Sequence, residues 1–422
     1  MMSKTTANEI REKDRKKMKV VQRLQGKRKF LFWVLLTLLC VYAWATLLWE
    51  IPNDLYVSSR SDVKIGSRLP VSYSRGSKET VFASNGKEVY QLTCRFLGVI
   101  PVKQITVHVT EAETVIPGGI AIGLVLNLDG IYVAGTQEIV DADGEKQNPC
   151  EHILQTGDYI LEADGKAVAE KEDLINAVKE SDGDTVTLKV RRGNKTLETA
   201  VTPIEVGENN RKLGVWIKDD MAGVGTLTYI DADGSYGALG HGISDSETGE
   251  LFHLKEGKLY ESEIVAVNRG EKGSPGELVG MIYFRKDNYL GTIDNNTDSG
   301  IFGILTNLPE EMAQQQAITV CHKQDVSNGP ATILADVDGT IRSYEINIED
   351  VSMNGRDANK RILLRVTDEA LLKKTGGIVQ GTSGSPIIQN GKLVGAVTHV
   401  LVNDPTRGYG ILAEDMMEAD LN

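Results

Sequence analysis

The stretch Gly381-Thr382-Ser383-Gly384-Ser385-Pro386, continued by Ile387-Ile388-Gln389-Asn390-Gly391-Lys392-Leu393-Val394-Gly395-Ala396-Val397-Thr398, decides how this chain is read. Asn390-Gly391 between two apolar runs is a two-residue hairpin signal, because both positions accept the positive φ that such a turn needs. The runs on either side are therefore predicted to pair as strands. Ahead of them, a serine between glycines allows a tight turn with an exposed hydroxyl and converging backbone N–H groups. Such N–H groups stabilise negative charge developing on a carbonyl oxygen, by roughly 3 kcal/mol per donor in a transition state. Taken alone, the same string is also an ordinary glycine-rich turn.

Working outward, the region from about Lys212 to the end is nearly all short strand and turn. Gly225 to Ile230 runs into Asp233-Gly234, and further strands are predicted at Ile341 to Ile348 and Ile362 to Val366. About 200 residues of this pattern suit a sandwich or a pair of barrels. A serine hydroxyl is a weak nucleophile and needs a base. Gly240-His241-Gly242, just after a strand, offers an exposed imidazole with close backbone approach. His253 and His322 stand in ordinary polar surroundings, and His108 lies inside an alternating strand pattern. None of the six histidines has metal-ligand spacing, and no cofactor is called for. Spacing alone leaves the orienting acid open among Asp231, Asp233, Asp245, Asp294 and Asp368.

Upstream, residues 114–205 form a second unit. Pro117-Gly118-Gly119-Ile120-Ala121-Ile122-Gly123 is a glycine-rich loop before a strand. Gly157-Asp158-Tyr159-Ile160 begins another strand, which ends at Asp164-Gly165. An amphipathic helix is predicted from Lys171 to Glu180, and a strand from Thr185 to Val190 turns at Arg192-Gly193-Asn194. This order resembles a PDZ domain. The resemblance implies that Gly118, Gly119, Ile120 and Gly123 form a loop whose N–H groups hold the end of an extended peptide ligand.

Phe30 to Trp49 is twenty residues without a charge, and at 1.5 Å per residue it spans about 30 Å, the thickness of a bilayer core. Residues 1–29 carry eleven Lys/Arg against three Asp/Glu, so this flank is expected in the cytoplasm and the bulk of the chain outside it. Ala43-Trp44-Ala45 has the small residues of a signal-peptidase site, but the apolar run continues past it, which favours a retained signal-anchor. Residues 50–113 read as a serine-rich linker and a small β-rich segment. Beyond the anchor, 56 acidic residues outweigh 35 basic ones, and such a body repels nucleic acid. Cys94, Cys150 and Cys321 are far apart and imply no disulfide framework.

With its hairpin and Gly395-Ala396-Val397 return strand, the Ser383 segment resembles the nucleophile region of trypsin-like peptidases. Thr398 and His399 then fall where such enzymes line the substrate cleft, and the N–H groups of Gly381 and Ser383 would hold the oxyanion. The chain from about Cys94 to its end resembles the stage IV sporulation protein B peptidases. The matching segments are VIPGGIAIG, GALGHGISD, and the run from Val366-Thr367-Asp368-Glu369 through KTGGIVQGTSGSPIIQNGKLVGAVTHV. The resemblance implies a mainly β protein: a transmembrane helix, a PDZ domain, then a double β-barrel peptidase at 212–422. It also implies a triad of His241, Asp368 and Ser383. Asp368 precedes Ser383 closely, whereas the acid of trypsin follows the histidine, so the fold alone does not place it. The implied role is cleavage, at the forespore inner membrane, of a regulatory subunit of an intramembrane-protease complex, after self-cleavage between anchor and PDZ domain. Two rival readings are an HtrA-type quality-control protease, whose domain order is the opposite, and a PDZ scaffold with an inactive peptidase domain.

Overall fold

The computed structural model describes residues 31–49, 51–57, 70–75, 82–84, 87–109, 113–181, 185–207, 210–353 and 355–420. The basic tail at 1–29 and much of the serine-rich stretch expected to be self-cleaved lie outside them. The chain divides into two compact units, Met1–Thr110 and Glu111–Asn422.

In the first unit, helix α1 (Leu31–Trp49) is long and apolar enough to cross a membrane. Five strands follow: β1 (Asp54–Val57), β2 (Val71–Arg75), β3 (Phe82–Ser84), β4 (Lys87–Phe96) and β5 (Ile100–Val109). They form one sheet in the order β1-β5-β4-β2, with β3 on β4. Leu47 of α1 and Ile51, which follows that helix, join its core with Leu55, Leu92, Ile105 and Val107. His108 stacks on Tyr56 at 4.7 Å and meets Asp54 at 3.2 Å, so it is a strand residue with local partners.

The second unit is built around two unusually long strands. β6 (Ala121–Thr136) leads into β7 (Tyr159–Ala163), helix α2 (Lys171–Glu180), β8 (Val186–Arg192) and β9 (Lys195–Val201), after which β10 (Val215–Ile230) returns. β6 and β10 pair antiparallel along their whole shared length, from Thr226 opposite Ala121 to Val215 opposite Thr136. A register shift between Lys218 and Asp220 marks the point where this ribbon leaves one domain and enters the other.

At the ribbon's outer end, the Ile131–Thr136 part of β6 joins β7, β8 and β9. Val133, Ile160, Leu174, Val178, Leu188 and Val190 close the PDZ core. Asp158 is fully buried and takes two 2.7 Å hydrogen bonds from the Arg192 guanidinium, which gives the Gly157-Asp158 pair a structural role.

At its inner end, β6 and β10 belong to a six-stranded barrel completed by β11 (Ser235–Ala238), β12 (Leu254–Asn268), β13 (Tyr289–Ile293) and β14 (Gly300–Ile304). A second six-stranded barrel follows from β15 (Gly329–Asp336), β16 (Ile341–Val351), β17 (Ile362–Val366), β18 (Pro386–Gln389), β19 (Lys392–Val400) and β20 (Arg407–Leu412). Helix α3 (Glu369–Thr375) links β17 to the Ser383 turn, and α4 (Ala413–Asp420) closes the chain.

The ribbon ties the expected regions 114–205 and 212–422 together: residues 121–128 also pair into the first barrel, so the rest of the 114–205 region lies between two of that barrel's strands. Pairing explains why: Ile122, Leu124 and Leu126 pack with Leu227, Tyr236, Leu259 and Ile301, inside the barrel.

Candidate active site

Ser383 reaches the surface because two glycines bend the chain around it. Gly381 and Gly384 have φ of 95° and 96°, a region that L side chains rarely enter. A side chain at Gly384 would also collide with the Thr226 carbonyl of β10. Buried Thr382 holds the turn from within, its hydroxyl donating to Val379 O at 2.7 Å. Gly384 N–H and Val397 N–H tie the turn to the return strand. Among the described residues, neither Gly381 N–H nor Ser383 N–H donates to another backbone carbonyl.

His241 is delivered by the end of β11, through Leu239 and Gly240 at φ of 68° and 69°. A buried leucine in the left-handed region is strained, and here it turns the chain so that the imidazole faces the same cleft as Ser383. The cleft has a volume of about 590 Å³ and is lined by His241, Ser383, Gly381, Thr398, His399 and the Met221–Val224 part of β10, among others. His241 Nδ1 lies 2.9 Å from Gly242 O. A carbonyl only accepts, so this contact places the proton on Nδ1 and leaves Nε2 as the basic nitrogen. Burial holds the His241 pKa below the usual histidine range. The His399 ring lies 5.0 Å away, and burial together with the His241 and Lys360 charges pushes its pKa down to about 4. Ser383 Oγ donates to Thr398 O at 2.8 Å, so the hydroxyl must leave that carbonyl before it reaches a base.

The structure does not bring Asp368 into this cleft. It is the N-cap of α3: its carboxylate accepts from Leu371 N–H at 2.9 Å and from Glu345 N–H at 3.4 Å. A carboxylate at a helix N-terminus satisfies orphan donors, which is reason enough for an aspartate at this position. Asp245 likewise accepts from Glu247 and Thr248 N–H in its own turn. The carboxylate that does line the cleft is Asp298, between Asn295–Thr297 and β14. Sequence reasoning missed it, although it follows the histidine in the order that trypsin shows.

The PDZ-loop residues are also placed differently from expectation. Gly118 N–H and Gly119 N–H donate to Thr228 O and Leu227 O, both at 2.8 Å, and Ile120 is buried in the first barrel. Gly123 faces Ile282 closely, so its missing side chain serves barrel packing. These N–H groups are already paired and are not available to a peptide carboxylate. Among the described residues, no group of His, Cys, Asp or Glu has the arrangement of a metal site.

A nucleophile turn and a histidine face one cleft between two β-barrels, which is the pairing that a serine hydroxyl needs for nucleophilic chemistry. Residues 209–417 match the SpoIVB peptidase S55 family model and residues 118–202 match the PDZ domain model, and the chain belongs to that peptidase family. The regulator of sigma-W protease RasP of Bacillus subtilis is 39% identical over 59 residues, which is 14% of this chain and 14% of that one. The PDZ domain of the SdrC-like protein from Listeria monocytogenes is 25% identical, covering 22% of this chain and 90% of its own, with a TM-score of 0.18. The active form of the Rv3671c protease from M. tuberculosis is 14% identical, covering 47% of this chain and 73% of its own, with a TM-score of 0.29.

Proposed function

We propose that this chain is a serine endopeptidase, membrane-anchored through α1, that uses Ser383 as nucleophile and His241 as general base. The observation that carries this reading is the shared cleft: Ser383 and His241 line it together, beside two uncommitted N–H groups. Ser383 Oγ turns from Thr398 O and attacks the substrate carbonyl while Nε2 of His241 takes its proton. The N–H groups of Gly381 and Ser383 hold the oxyanion. The imidazolium then gives the proton to the leaving amine, and water, activated by the same nitrogen, releases the acyl group.

Family membership supports the finer role. The substrate is a regulatory subunit of an intramembrane-protease complex, in signalling from forespore to mother cell, and the enzyme first releases itself by cutting between Tyr56 and Ser84. Labelling with a fluorophosphonate tests the chemistry. Wild type should be labelled at Ser383 and the Ser383→Ala protein should not, and an unlabelled wild type would favour the inactive-scaffold reading. Self-release is tested in the same pair: wild type should shed a soluble form that Ser383→Ala retains in the membrane fraction. Equal shedding by both would assign the cut to another protease.

A further inference from the structure

β10 has two edges, and β6 takes only one of them. Between Val215 and Gly225 the registers of the described strands give no partner on the other edge, and Met221 to Val224 line the active-site cleft. The direction of its polar groups follows from Thr226, whose N–H donates to Ser383 O at 3.0 Å and whose carbonyl accepts from Leu239 N–H at 3.2 Å. Both groups of Thr226 therefore point away from β6. Pairing is regular from Asp220 to Thr226, so Val224 and Ala222 present their N–H and C=O to the same open edge. At its far end β10 enters the PDZ sheet beside α2, where Lys171 N–H donates to Asp219 Oδ2 at 2.7 Å and Lys171 Nζ meets Asp219 Oδ1 at 2.8 Å. One open strand edge thus runs from the nucleophile turn to the PDZ helix, about 27 Å from Val224 to Trp216 at 3.4 Å per residue.

We propose that this edge binds an extended segment of the substrate, as an added antiparallel strand, on the C-terminal side of the scissile bond. The inference rests on Ser383 being the nucleophile. β10 runs toward Ser383, so an antiparallel partner runs away from it, and the residues it carries toward α2 are those after the cut. Antiparallel addition is the pairing that β6 already shows on the opposite edge. With the Gly118 and Gly119 N–H groups paired within the barrel, the segment is held through its backbone along the β10 edge and not through that loop. The PDZ domain then acts as the far end of the substrate cleft, favouring substrates with an extended stretch of about eight residues after the cut.

The test uses the full-length protein in detergent and a proteome-derived peptide library, with cut positions read by mass spectrometry. For a peptide found to be cut, synthetic versions carrying two to about twelve residues after the scissile bond are compared by kcat/KM. Values should rise at least ~10-fold as the tail grows to about eight residues, since each added outward-facing residue offers further backbone hydrogen bonds. A plateau by the third residue would overturn the proposal. In Ala222→Pro the outward N–H is removed while the pairing with β6 is kept, as edge positions tolerate proline. The ratio of long-tail to short-tail kcat/KM should fall severalfold in this variant, and an unchanged ratio in folded protein would also overturn the proposal. Should Ala222→Pro fail to fold, the wild-type length series decides alone. Fluorophosphonate labelling of wild type separates the two readings: labelling with no length dependence rejects the strand-addition site, and no labelling rejects Ser383 as the nucleophile.

Discussion

At the residue scale, the chemistry depends on which nitrogen of His241 is free. Burial lowers the histidine's pKa, and a base must be neutral to accept a proton. Activity should therefore persist below the ordinary histidine value of about 6.5 and be lost as pH falls further, through the lowered pKa. A kcat/KM profile whose acid limb has its midpoint at or above 6.5 would contradict this. The tautomer bears on the acid. Where a carboxylate alone sets it, the amide replacement costs on the order of 10⁴ in rate. Here Gly242 O already holds Nδ1–H, and Asp368 caps α3, so Asp368→Asn should cost less than about 10² in kcat/KM. Asp368→Ala should lower stability by about 1 kcal/mol through the lost cap. A 10⁴-fold loss in a stably folded Asp368→Asn would return that residue to the triad. The serine turn and the glycine-flanked histidine stand out in the sequence because their backbone needs are local, and the structure places both at one cleft. The position of Asp368 could not be read in the same way, because an aspartate that caps a helix and one that orients an imidazole look alike until the fold places them.

At the scale of elements, most strands could be read from alternation and turn residues, and the predicted helix at Lys171 to Glu180 coincides with α2. The ribbon was the exception. A strand buried on both faces shows no break where it passes from one domain to another, so alternation alone does not reveal that Ala121 to Leu126 also serves the first barrel. Buried charge fixes what that fold can lose. Asp158 is 0% exposed and its only described partner charge is Arg192, one-third exposed at its side chain. Removing the carboxylate by Asp158→Ala leaves the guanidinium uncompensated and should destabilise by about 3 kcal/mol. Urea denaturation would show this, and a midpoint shift worth under about 1 kcal/mol would mean that Arg192 finds solvent instead.

At the scale of the whole molecule, composition separates a basic, apolar N-terminal region from an acidic remainder, and the apolar part of the former is the helix α1. What composition cannot convey is nesting. Because the PDZ fold hangs from β6 and β10, it is not a cassette that can be clipped off at a linker. A version starting at Lys212 would retain every residue proposed for catalysis yet lack β6, one of the six staves of the first barrel, leaving β10 and β12 with raw edges. Such a fragment should aggregate when expressed, whereas one starting near Glu111 should melt in a single cooperative transition by calorimetry. The same nesting limits how the protein can diversify: a lineage that discards its PDZ fold must rejoin the chain near Leu128 and Asp220, in mid-strand, so the two parts are inherited together.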